Sequence, residues 1–177
     1  MTDGQGHRRI DRIRDPAYLE GLADLPLDEV RALREECLAE REYLSLLRRL
    51  VQGRAEILQA ELTARGTDED SGPLVDRLGS ILAGSEGRGA ARGEALKIGV
   101  PEDEMLLARR RIERLVADAG ISDPQALDDD QLGEAVEILG REEETVSEAR
   151  GAVITVLDTV QDELKRRYKE DPTRVLQ

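Results

Sequence analysis

The chain has 177 residues, 39 of them acidic and 26 basic, for a net charge of −13, and it contains neither Phe nor Trp. An acidic balance excludes direct grip on DNA or RNA as its main task, because phosphate contacts need clustered Lys and Arg. It favours a basic protein partner instead. Without large aromatics, a thick globular core or a β-sandwich is excluded too. Leu, Val, Ile and Ala must then fill thin seams between helices, and a charged fraction of 37% suits long solvated helices.

The mean hydropathy is −0.50, and no stretch approaches the ~18 apolar residues of a membrane span. Met1 to Arg14 is polar and lacks the apolar core of a signal peptide. A single cysteine, Cys37, cannot close an intramolecular disulfide. These features predict a cytoplasmic protein with no membrane contact.

In chain order, residues 1–25 read as a flexible N-terminal arm, since the first 20 mix Gly, His, Arg and Asp without periodicity. Asp24-Leu25-Pro26-Leu27-Asp28-Glu29 is a helix start: Pro26 is pre-set for a first turn, and the acids suit the positive helix end. The first long helix then covers 26–65, with Gly66 as its stop. Val30, Leu33, Cys37, Leu44, Leu47, Val51 and Leu58 keep a 3-4 rhythm, with Glu40, Arg54 and Glu61 at the intervening seam positions. That rhythm favours a left-handed supercoil with a partner helix.

Residues 66–127 form a linker with short helices. Leu74–Leu82 is a candidate helix, and Gly84 to Gly93 holds four Gly in ten residues, too many for a helix. The Gly-rich stretch lacks the GxxxxGK[ST] phosphate pattern and reads as a linker. Glu102 to Ala119 is a further helix with Met105, Leu106, Ile112, Leu115 and Val116 on one side. Gly120 ends it, and Ile121–Leu127 is a connector containing Pro124.

The second long helix covers 128–170, from Asp128-Asp129-Asp130 to Lys165-Arg166-Arg167 and beyond, with acids and bases placed to suit the helix dipole. Leu132, Val136, Leu139, Val146, Val153, Leu157, Val160 and Leu164 repeat the 3-4 rhythm, with Glu143 and Arg150 in the gaps. Residues 171–177 are a C-terminal tail that opens on Asp171-Pro172. Two long helices of matched length predict an all-α fold, an antiparallel two-helix coiled-coil hairpin with short accessory helices.

Enzyme chemistry finds no support. The only His is His7, in the N-terminal arm, and no Cys/His, metal-ligand or Ser/His/Asp set is present. The chemistry worth weighing is a polar near-repeat. Ser45, Arg48, Gln52 and Glu56 lie on the first long helix within an arc of roughly 80°. Glu143, Ser147, Arg150 and Asp158 lie on the second within an arc of similar width, with Ile154 between the last two. Two readings stand side by side: an ordinary solvated coiled-coil face, as in a ligand-free scaffold or adaptor, or a binding stripe. Arginine offers a fork to guanine O6 and N7 or to phosphate, and an acid accepts from guanine N1 and N2. Arg54 is either a helper or a hairpin partner of Glu143.

At these residues the chain resembles the RsiG-type anti-sigma factors of actinobacteria, whose signature E(X)3S(X)2R(X)3Q(X)3D occurs once on each helix of an antiparallel coiled coil. The second copy here reads Glu143, Ser147, Arg150, Ile154, Asp158, and the first reads Arg41, Ser45, Arg48, Gln52, Glu56. Arg41 stands where the signature has Glu, with Glu42 one residue late, Glu56 replaces Asp, and Ile154 replaces Gln. The resemblance implies that cyclic di-GMP binds through Ser45, Arg48, Gln52, Glu56, Glu143, Ser147, Arg150 and Asp158. It implies a WhiG-type sporulation sigma factor as partner, held inactive while the messenger is abundant.

Overall fold

The computed structural model describes residues 9–66, 100–118, 120–121 and 123–171. The candidate helix at 74–82, the Gly-rich stretch at 84–93 and His7 lie outside them. Among the described residues four α-helices follow in order: α1 (Arg9–Arg14), α2 (Leu27–Gly66), α3 (Glu102–Asp118) and α4 (Asp129–Glu170). Single 3-10 turns at Pro16–Leu19 and Pro124–Ala126 precede the two long helices. No strand occurs among the described residues. The all-α expectation holds, and α2 and α4 pack against each other.

The helix ends follow from local chemistry. The Pro26 carbonyl accepts from the Val30 amide at 3.2 Å and opens α2. At α4, Asp128 Oδ1 accepts from the Gln131 amide at 2.8 Å, and Gln131 Oε1 accepts from the Asp128 amide at 2.9 Å. This reciprocal capping box satisfies two donors that the first turn leaves open. At the end of α3 the Ile121 amide donates to Val116 O at 2.8 Å and the Gly120 amide to Ala117 O at 3.1 Å. Gly120 has φ +68°, the left-handed conformation that this helix ending requires and that glycine adopts without steric cost.

The chain divides into two compact units, each built from parts of both long helices. The first comprises residues 1–45 and 147–177. Here the start of α2 meets the end of α4 head to tail: Val30 packs with Val160 and Leu164, and Arg31 Nε donates to the Tyr168 hydroxyl at 3.1 Å. Leu19, Leu22 and Leu25 cover this cluster. Arg167, only 5% exposed, reaches back to three carbonyls, Leu25 O at 2.7 Å, Leu22 O at 2.9 Å and Ala23 O at 3.0 Å. Its Nε also donates to Glu163 at 2.6 Å.

Where the sequence predicts an aperiodic arm, the chain from Arg9 to Leu19 carries α1 and a 3-10 turn. The segment is too short for a periodic pattern; one buried residue, Ile13, and side-chain contacts hold it. Tyr18 O–H lies 3.3 Å from Leu33 O, 3.2 Å from Glu36 Oε2 and 3.6 Å from Cys37 Sγ. Burial, followed by the hydrogen bond to Cys37, pushes the Tyr18 phenol above its ordinary value.

The second unit comprises residues 46–146. The end of α2 meets the start of α4, again antiparallel. Arg65 donates to Leu127 O at 2.5 Å, Pro124 O at 3.1 Å and Gln125 O at 3.4 Å. Each unit therefore uses one arginine near a helix C-terminus to satisfy the carbonyls of the connector that enters the other long helix. Helix α3 belongs to this unit, and Arg111 Nη2 meets Glu142 at 2.7 Å.

Two apolar assignments need correction. On α3 the buried residues are Ala108, Ile112 and Val116, while Leu106 is 46% exposed. Leu106 sits about 200° round the helix from Ala108, so it cannot share that i, i+4 stripe. On α4 the seam residue near the start is Ala135, with Val136 only half-buried. The remaining apolar positions of the α4 rhythm, Leu132, Leu139, Val146, Val153, Leu157, Val160 and Leu164, are all buried.

Candidate functional site

The polar stripe sits where the seam rhythm is broken by charge. In an all-apolar seam, positions such as 143 and 150 would carry Leu or Val. Here they carry Glu143 and Arg150, and the facing helix supplies polar partners.

In the second unit, Arg48 and Gln52 occupy successive turns of α2 and both address Glu143 of α4. Arg48 Nε donates to Glu143 Oε1 at 2.6 Å, and Gln52 Nε2 donates to the same oxygen at 3.2 Å. Arg48 is 41% exposed and Glu143 26%. The bond is made by Nε, so the two terminal Nη groups lie beyond it on a partly solvated guanidinium. Glu56, one turn further along α2, is exposed. The structure thus joins members of both signature copies through one carboxylate oxygen.

In the first unit, Ser45 Oγ donates to the Arg41 carbonyl at 2.7 Å and accepts from Arg150 Nε at 2.9 Å. Ser147 is half-buried on α4 and Asp158 is exposed. Ile154 is half-buried, which keeps the Gln-to-Ile departure on a partly solvated face.

Arg54 does not take the role of hairpin partner to Glu143. It is exposed, and the guanidinium that meets Glu143 is that of Arg48. Heptad counting placed Arg54 in the seam, but a long charged side chain escapes to solvent when its neighbours leave a path. Two other residues carry weight that the sequence did not signal. Arg65 and Arg167 act on backbone carbonyls of connectors, and a carbonyl acceptor leaves no trace in side-chain spacing.

Chemically, the stripe offers donors and carboxylates and no nucleophile–base pair. Among the described residues no group of three His, Cys, Asp or Glu side chains is placed to hold a metal ion. No helix among them is long and apolar enough to cross a membrane.

Fold and stripe define a helical hairpin protein with polar contacts bridging its long helices. The family model described as RsiG-like matches residues 16–82, and the chain is consistent with an RsiG-type protein. The match spans the approach to α2 and all of α2, and covers less than half of the chain. That family suggests a regulator of the anti-sigma factor type, with a sigma factor as the general class of partner, and not an enzyme. No curated protein matches the chain.

Proposed function

We propose that this protein is an anti-sigma factor that binds cyclic di-GMP along the polar stripes of α2 and α4 and sequesters a WhiG-type sporulation sigma factor. The RsiG-like match over residues 16–82 carries the reading. It is supported by the side chains on that stripe. Arg48 and Arg150 are the arginines that address guanine or phosphate, with Glu56, Glu143 and Asp158 as acceptors for the guanine edge. Ser45, Gln52 and Ser147 complete the polar contacts.

The protein's own contacts at the stripe are suited to exchange. A partly exposed ion pair such as Arg48–Glu143 is worth about 0.2–1 kcal/mol. A dianionic ligand with two guanine faces replaces it at little cost. Ligand that binds only the complex stabilises the complex in proportion to RT ln(1 + [L]/Kd). A fall in the messenger then releases the sigma factor. The acidic surface, net −13, complements the basic DNA-contacting regions of such a partner.

Calorimetric titration of cyclic di-GMP into the protein, alone and with a WhiG-type sigma factor, tests this. The expected result is binding that appears or strengthens with the sigma factor and is absent with cyclic di-AMP. Replacing Arg48 and Arg150 together with Ala weakens ligand-dependent association by at least about tenfold, the equivalent of ~1.4 kcal/mol. Unaltered ligand-dependent binding in that variant refutes the site assignment.

One observation favours a second reading. Glu143 satisfies Arg48 and Gln52, and Ser45 satisfies Arg150, within the protein itself. A ligand-independent scaffold would keep these bonds permanently, and sigma-factor binding indifferent to the messenger identifies that case.

A further inference from the structure

Helix α3 turns Ala108, Ile112 and Val116 inward, none more than 8% exposed. Its opposite face is unlike the other surfaces of the second unit. Among the described residues the exposed large apolar side chains are Leu106 and Leu107, at 46% and 53%, and both lie on α3. With 3.6 residues per turn, Leu106, Leu107, Arg110 and Arg114 share an arc of about 100° on that outer face.

The charges there are also unlike the rest. Arg109, Arg110 and Arg114 are exposed, and none of them makes an ion pair among the described residues. The chain has 39 acids for 26 basic residues, so a carboxylate is seldom far from an arginine. Arg111, on the inner side of the same helix, has one, Glu142 at 2.7 Å. Glu102, Asp103 and Glu104 fill the first turn of α3, where they complement the positive helix end. Beyond that turn the exposed face carries one acid, Glu113, against three arginines.

Two leucines bordered by arginines make a small amphipathic surface. The methylene stems of arginine extend such an apolar patch, and its planar fork takes a carboxylate by two parallel hydrogen bonds. Arg110 and Arg114 stand one turn apart, so a helix with acids four residues apart matches both. An anionic membrane is gripped by a longer apolar face with bulky anchors, and α3 has no aromatic residue. Nucleic acid offers phosphates, which make no use of leucine and meet a chain of net charge −13.

We propose that the outer face of α3 is a docking surface for an acidic amphipathic helix of a protein partner, with Leu106 and Leu107 as apolar anchors and Arg110 and Arg114 as the carboxylate-binding pair. No residue of the polar stripe takes part, so the surface stands independently of the cyclic di-GMP reading. It is a local site of opposite sign on an acidic chain, effective at contact because salt screens charges beyond about 8 Å.

The test uses the full chain and two variants, Arg110→Glu/Arg114→Glu and Leu106→Gln/Leu107→Gln. All four positions are exposed, so circular dichroism should show unchanged helicity. The probe is a labelled synthetic helix with Glu four residues apart and Leu on the same face, followed by fluorescence anisotropy. It binds the unaltered chain, and binds each variant at least about tenfold more weakly. A probe with Lys in place of Glu reverses the order, preferring Arg110→Glu/Arg114→Glu to the unaltered chain. That reversal reads the face itself, since a folding defect does not create an affinity. No binding of the Glu probe, or equal binding to all three proteins, overturns the proposal. Adhesion to phosphatidylglycerol vesicles or to duplex DNA that the arginine variant loses also overturns it, by assigning the face to lipid or nucleic acid. So does a dimer in sedimentation velocity that either variant dissolves, which assigns the face to a second copy of the chain.

Discussion

Removing the Arg167 guanidinium should unlock the first unit. Replacing Arg167 with Met keeps most of the apolar stem and removes the charged fork. The structure gives that fork three carbonyl acceptors, on Leu22, Ala23 and Leu25, at 2.7–3.0 Å, and one carboxylate, Glu163, at 2.6 Å. Hydrogen bonds to a charged group contribute about 1.5–3 kcal/mol each, and they do not add fully. Glu163 retains Arg166 at 2.7 Å, so the ion pair is partly replaced. The carbonyls of the 22–25 connector fare worse, because the side chain that reaches them is only 6% exposed and water has little access there. A loss of about 3–4 kcal/mol follows, in the range expected when a buried charge network is broken. Urea unfolding followed by circular dichroism measures it, with Lys165→Met as the control. Lys165 pairs with Asp162 in solvent, 64% and 73% exposed, and its removal should leave the midpoint unchanged. A shift for Arg167→Met no larger than that of the control refutes the view that these carbonyl contacts hold the connector.

Two further predictions concern acid and capping. Hydrogen bonds from Arg166 and then Arg167 hold the Glu163 carboxyl down at about 2, against an ordinary 4.5. Its folded value lies below its unfolded one, so its contribution is present above pH 4.5 and is lost as pH falls toward 2; Glu163→Gln should flatten the acid limb of a stability–pH profile in that window, and an unchanged limb argues against the pairing. Asp128→Ala removes one half of the capping box on α4 and should cost about 1 kcal/mol, read from the thermal or urea midpoint, with Asp128→Asn nearly neutral because its amide oxygen still accepts from Gln131.

The sequence by itself determined the long helices. Forty or so residues of 3-4 apolar rhythm, opened by Pro26 in one helix and by Asp128-Asp129-Asp130 in the other, specify helices, and Val30, Leu47, Val51, Leu132, Leu139, Val153 and Val160 are buried where the rhythm puts them. It also marked the stripe, because residues three and four apart on a helix share a face whatever the partner does. Tertiary structure decided what these polar residues meet. Heptad position alone could not choose between Arg48 and Arg54 as the partner of Glu143, since both side chains are long enough and only the pairing register of α2 against α4 separates them. Nor could it reveal α1, whose six residues carry no period of their own and gain their order from Glu36, Glu40 and a site for Ile13. The connector carbonyls gripped by Arg65 and Arg167 belong to the same category. Local pattern specifies a helix, because its hydrogen bonds close within four residues; contacts between residues a hundred positions apart arise only when the two helices lie side by side.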